Sequence, residues 1–308
     1  MKILYYQWNA YNGKDVAEVF RAQGHTVDAI AGDVSDAIDN PAFAGRFAKA
    51  LQIAKENAGL TSGRGAYDMV FSVDYFPALS EICKRCATPY VSWSCDAGLT
   101  SMYHRSVYND CNYIFLFDKA DYLEFREKGL RHLHYLPLAP NTERMERVLG
   151  GKKDAGDDGG FSGQSKQLTA DISFVGTLYE KNKYDTLAET FPPYLRGYLD
   201  AVIEAQCNVS GGSLIDRLLT DDILKRIAEN YRLERMEGSE SDVATFFSRS
   251  VLGYKVARKE RLAALAALGR ALEARHDDDI ALVQLIEYTL RLDINDPALR
   301  IDRVRPYP

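Results

Sequence analysis

Six short apolar runs alternate with helical patterns over the first 137 residues, and this alternation constrains the fold more than any other feature. The runs are residues 3–6, 25–30, 68–72, 90–93, 112–117 and 132–136. They are rich in β-branched and aromatic residues and too short for helices, so they read as strands. Between them, residues 15–22 place Val16, Val19 and Phe20 on one helical face, with Gly24 just beyond. Residues 43–58 carry Phe43, Phe47, Leu51 and Ala54 at helical spacing and end at Gly59. A third helix opens near Pro77, a residue suited to a first helical turn, and a fourth spans 119–128 before Gly129. Strands that alternate with helices imply right-handed crossovers. The prediction is an α/β fold with a Rossmann-like, doubly wound parallel sheet covered on both faces.

Ligands of such sheets sit beyond the carboxyl ends of the strands. Those ends supply Gln7, Trp8 and Asn9; Asp74 and Tyr75; Ser94, Cys95 and Asp96; and Asp118. The set is polar and aromatic, which suits a sugar-like or otherwise hydroxylated ligand. Asp118 stands just before a helix and reads as its cap. Asp96, followed by Ala97-Gly98, fits a cap or a functional carboxylate equally well. His104 lies close after Asp96 and could line the same cleft, whereas His25, His132, His134 and His276 have no matching ligand spacing. Cys83-Lys84-Arg85-Cys86 is followed by Cys95, Cys111 and Cys207, but the paired-knuckle spacing of a thiolate metal site is missing. The cysteines therefore read as small buried hydrophobes, and no metal is expected. No GxSxG, Walker or HExxH pattern occurs, so the common hydrolase, P-loop and zincin routes have no support.

A net charge of −6 argues against a protein that holds nucleic acid by bulk attraction. The opening apolar run is too brief for a signal peptide, and no run approaches the ~18 residues of a membrane span. A cytoplasmic location is the expectation. The organisation changes at residues 150–170, a Gly-, Asp- and Ser-rich tract that reads as a flexible linker between a domain at 1–149 and another at 171–308. The second begins Asp171-Ile172-Ser173-Phe174-Val175-Gly176-Thr177-Leu178-Tyr179-Glu180-Lys181. A strand, then a glycine, then a helix start capped by Thr177 with Lys181 and Lys183 nearby would offer N–H groups and positive charge to a phosphate. The rest is mostly helical: residues 194–207, 214–227 and 242–273, with 280–286 open between strand and helix. The basic cluster Lys255, Arg258, Lys259 and Arg261 reads as a solvated face. This half looks like a second Rossmann-like domain that is incomplete.

Several blocks resemble the CgeB-like proteins, a group of glycosyltransferases linked to spore maturation. In the first half these are Tyr6-Gln7-Trp8-Asn9, Tyr90-Val91-Ser92-Trp93-Ser94-Cys95-Asp96, Asn112-Tyr113-Ile114-Phe115-Leu116-Phe117-Asp118 and Tyr135-Leu136-Pro137-Leu138-Ala139. In the second they are residues 171–181, Arg196-Gly197-Tyr198-Leu199 and Glu260-Arg261-Leu262. The resemblance implies a GT-B architecture with two Rossmann-like domains and no obligatory metal or other cofactor. A nucleotide sugar, such as a UDP-linked one, would be the donor substrate and would sit on the second domain. The acceptor would sit on the first. It implies that Gly176, Thr177 and Lys181 face the donor diphosphate and that Asp96 is an acceptor-side base. Gln7, Trp8, Asn9, Trp93 and His104 are then the substrate-side candidates. The family continues past a segment like Arg303-Val304-Arg305-Pro306-Tyr307-Pro308 into elements that carry donor contacts, so the resemblance also implies a shortened chain. The other class compatible with these residues is a non-catalytic sugar- or nucleotide-binding module.

Overall fold

All six runs fold as strands: β1 (Lys2–Gln7), β2 (Thr26–Ala31), β3 (Met69–Val73), β4 (Tyr90–Trp93), β5 (Asn112–Leu116) and β6 (Leu133–Tyr135). The computed structural model describes residues 1–32, 41–57, 67–149, 173–209, 212–233, 237–274 and 284–286. The strands form one parallel sheet in the order β2-β1-β3-β4-β5-β6. From β1 the chain first steps outward to β2, then crosses back to lay β3 on the other side of β1. The order therefore reverses between β1 and β3, and the crossovers leave in opposite directions there.

The helices are those the periodicity predicts: α1 (Gly13–Ala22), α2 (Pro41–Asn57), α3 (Pro77–Arg85) and α4 (Lys119–Glu127), followed by α5 (Thr142–Leu149). Gly24 and Gly129 take φ of +82° and +79° just past α1 and α4, the left-handed conformation that ends a helix at little cost to glycine. Alternation along β1 sorts its side chains between two cores. Leu4 and Tyr6 join Phe43, Phe47, Val70, Leu79, Ile114 and Phe125 on one face. Ile3 and Tyr5 join Ala17, Phe71 and Val73 on the other, beneath α1. Tyr6 is fully buried and meets Phe43 and Phe76 edge-on, each at a centroid distance of 5.2 Å. Arg144 and Arg147 of α5 pair with Asp15 and Glu18 of α1, surface contacts that add little stability.

Two compact units divide the chain. The first comprises Met1–Asp158 and Glu234–Ser241, the second Gly159–Leu233 and Asp242–Pro308. Periodicity predicts no return of residues 237–241 to the first unit. The second unit is helical: α6 (Lys183–Ala188), α7 (Pro193–Cys207), α8 (Ile215–Leu218), α9 (Asp221–Asn230), α10 (Val243–Phe246) and α11 (Gly253–Ala274), with a π-helical stretch Phe247–Leu252 joining the last two. Asp242 caps this run by accepting from the Thr245 N–H at 2.7 Å. Leu199, Ile227, Phe247, Val251 and Leu252 are its fully buried centre. β7 (Ser173–Val175) pairs in parallel with β8 (Gln284–Ile286), which resolves the 280–286 ambiguity as strand at those residues. Among the described residues the second unit shows only this two-stranded pair, and the Rossmann-like sheet is the one in the first unit. The expected linker at 150–170 lies outside the described residues, as do Gly59, Asp171, Ile172, His276 and the segment 303–308.

Both tryptophans, Trp8 and Trp93, belong to the first unit, so their fluorescence follows its unfolding alone. Phe47 is fully buried against Tyr6 and Phe43. Phe47→Ala should cost about 3 kcal/mol, read as a lower urea midpoint of the tryptophan transition with an unchanged slope.

Candidate functional site

The strand order reverses between β1 and β3, and at the carboxyl ends of this part of the sheet the chain gathers acids, a thiol and aromatic rings. Trp8 follows β1. Its indole N–H donates to the Val73 carbonyl at 2.7 Å, tying the end of β1 to the end of β3. Gln7 is half-buried and Asn9 exposed. Asp74 ends β3 with φ of +60°, a left-handed conformation uncommon away from glycine, although aspartate tolerates it better than most. The Ser72 hydroxyl donates to the Asp74 carbonyl at 2.6 Å and braces that turn.

The turn aims the Asp74 carboxylate at the loop after β4. Its Oδ1 accepts from the Cys95 N–H at 2.8 Å and the Asp96 N–H at 3.3 Å, and its Oδ2 takes the Cys95 thiol at 3.6 Å. Asp74 is 4% exposed. Burial pushes its carboxyl up to about 6, with the Asp96 charge adding and the Cys95 and Asp96 amides opposing. Burial also raises Asp96, although that residue reaches solvent. The Cys95 thiol is pushed well up, first by burial and then by the two carboxylates, so it stays protonated. Tyr11 was legible only as part of a polar loop. Its phenol is raised by burial and then by the charges of Cys95, Asp96 and Asp74, although the residue is 72% exposed. Asn12, next along, has a buried Oδ1 with no hydrogen-bond partner.

Asp74, Cys95 and Asp96 present ligating atoms within 4.8 Å of one another, the set among the described residues that could hold a cation. The thiol proton directed at Asp74 makes proton exchange the simpler chemistry of this group. A buried carboxyl that titrates near neutrality, beside a second that faces solvent, can accept a proton from a hydroxyl and share it. Asp118 caps α4, accepting from the Asp121 N–H at 2.9 Å. Trp93 is half-buried, and its indole N–H donates to the Leu136 carbonyl at 3.0 Å, so its polar edge is spent on the chain beyond β6.

Two expected placements differ from the structure. His104 is 6% exposed, and both ring nitrogens are engaged: Nδ1 with Ser106 and Nε2 with the Glu237 carbonyl at 2.8 Å. It holds the chain together, and both ring nitrogens are taken by protein partners. In the second unit no helix starts at Gly176. The helix begins at Lys183, is capped by Asn182 rather than Thr177, and is short. Thr177 Oγ1 accepts from the Tyr179 N–H at 3.2 Å, and Lys181 is exposed. The loop turns carbonyls toward the basic face of α11: Arg261 donates to the Thr177 carbonyl, and Arg258 to that of Leu178 at 3.2 Å. Lys255 pairs with Asp185 at 2.6 Å. This cluster is half-buried and bonded, not simply solvated: the two arginines bond loop carbonyls, and Lys255 and Lys259 pair with Asp185 and Glu204 on neighbouring helices.

No protein-family model matches the chain, and no curated protein matches its sequence. No described helix is long and apolar enough to cross a membrane.

An ordinary aspartate titrates near ~3.9 when unfolded. Raised to about 6 in the fold, Asp74 favours the folded state fully at low pH and loses that contribution as pH rises toward and past 6. Asp74→Asn should therefore raise stability at pH 7.5 by about 1–3 kcal/mol, with the gain vanishing below about pH 4; urea titrations across that range check it.

Proposed function

We propose that the chain is a glycosyltransferase of the CgeB-like, GT-B type. The observation that carries this reading is the carboxylate pair at the β1/β3 switch point, with one member buried and titrating near neutrality and the other open to solvent. The acceptor hydroxyl oxygen bonds to the anomeric carbon of a nucleotide sugar. The bond from that carbon to the diphosphate oxygen breaks, and the nucleoside diphosphate leaves with the electron pair. Asp96 takes the hydroxyl proton, and Asp74, through the Asp96 amide it binds, holds that loop in place. Trp8, Gln7 and Asn9 border the acceptor. In the second unit Lys181 is exposed and is the proposed contact of a nucleotide diphosphate, on a loop bonded by Arg258 and Arg261.

A thermal-shift screen of UDP-, GDP- and TDP-sugars identifies the donor, and nucleotide release in the presence of acceptor sugars reads turnover. Asp96→Asn should lower kcat about a hundredfold or more with the donor KM unchanged. Full turnover in that variant removes Asp96 from the mechanism. Lys181→Ala should weaken UDP binding about tenfold by calorimetry, and unchanged affinity counts against the donor loop. Donor binding without release for any acceptor supports the non-catalytic binding module instead.

A further inference from the structure

Residues 237–241 are separated from β4 and its loop by more than a hundred positions along the chain, yet they dock on the first unit as an added strand-like strap. Ser239 bridges His104 in antiparallel fashion. The Arg105 N–H donates to the Gly238 carbonyl at 2.9 Å, and the Glu240 N–H donates to the Tyr103 carbonyl at 2.7 Å. Gly238 is required here: its φ is +83°, and a Cβ would stand 2.5 Å from His104 Nε2 and 3.0 Å from Arg105 Nε.

The hydrogen bonds running inward from the strap have a fixed direction. The Ser106 N–H donates to His104 Nδ1 at 3.0 Å, so Nδ1 carries no proton. Nε2 faces a carbonyl, which can only accept, so the proton is on Nε2. The Ser106 hydroxyl, 2.7 Å from Nδ1, must then donate to it, and the Tyr75 hydroxyl, 2.7 Å from Ser106 Oγ, must donate in turn. Tyr75 is 2% exposed and immediately follows Asp74. Every proton in the series points toward the strap, and the strap carbonyl is its last acceptor. Without that carbonyl a buried N–H is unpaired, and the ring can regain a partner only by turning away from Ser106.

We infer that His104 is a positioning residue: with Ser106 and Tyr75 it fixes the turn that carries Asp74, and it does so only while residues 237–241 are docked. The strap continues directly into the second unit, so the carboxylate site is open to regulation by whatever displaces that segment. This rests on the carboxylate site described above, but its test reads geometry and needs no turnover. The absence of glycosyl transfer would therefore overturn the proposed reaction and leave this measurement intact.

The test is amide exchange and carboxyl titration by NMR on the full chain. Gly238→Ala should speed exchange at the Arg105 and Glu240 amides at least about tenfold. It should also move the Asp74 midpoint from about 6 by about half a pH unit or more. His104→Gln keeps an N–H within reach of the Glu237 carbonyl but has no acceptor where Nδ1 stands, so strap exchange should stay near wild type while the Asp74 midpoint still moves. His104→Asn is too short to reach it and should behave as Gly238→Ala does. Faster strap exchange with an unmoved Asp74 midpoint overturns the coupling. Unchanged exchange in Gly238→Ala overturns the docking contact, and identical behaviour of the Gln and Asn variants overturns the role of the Nε2 proton.

Discussion

Parallel pairing of β1 with β3, from Ile3 opposite Met69 to Tyr6 opposite Ser72, is the contact on which the first unit depends. It places both strands in the middle of the sheet and forces the crossovers to either side to leave in opposite directions. Both faces of β1 are buried, by Leu4 and Tyr6 on one side and Ile3 and Tyr5 on the other. The ends of the strands are then where charged side chains can gather at a smaller desolvation penalty than in the middle of the sheet. The carboxylate group sits there because there is space and because the N–H groups of the β4 loop are free to bind it.

Asp74 shows how such a site can be built from a strained position. Its left-handed backbone opposes its side chain's placement, and its burial opposes its charge. Both are offset by amides, a thiol and the Ser72 hydroxyl that converge on it. A carboxyl held in this way has its midpoint raised to about 6 and can exchange protons with a neighbour open to solvent. The second unit handles charge differently. Arg258 and Arg261 are committed to loop carbonyls, so their positive charge shapes the 176–182 loop and Lys181 remains exposed.

Much of this could be read along the chain. The strands were visible because β-branched and aromatic runs bounded by Gly and Pro have few other options, and Pro77, Gly24, Gly129 and Asp118 took the terminal roles their chemistry favours. Asp96 and Trp8 were identified because strand ends are sites by topology. His104 was misplaced because its partners, Ser106 and the Glu237 carbonyl, include one far away along the chain. Thr177 was misplaced as a cap because the helix start slid to Asn182, whose side chain bonds Asp185 N–H at 3.1 Å. A single threonine after glycine does not specify where the next helix begins.

The order of residues by itself determined the alternation of strand and helix, the two-faced burial of the sheet and the list of polar groups at its carboxyl edge. All of these follow from side-chain periodicity and the conformational limits of glycine and proline. Only the tertiary structure decided that Asp74 and not only Asp96 holds the site together, and that residues 237–241 return to bind His104. Those outcomes depend on desolvation and on hydrogen bonds between segments distant along the chain, and no local pattern carries that information.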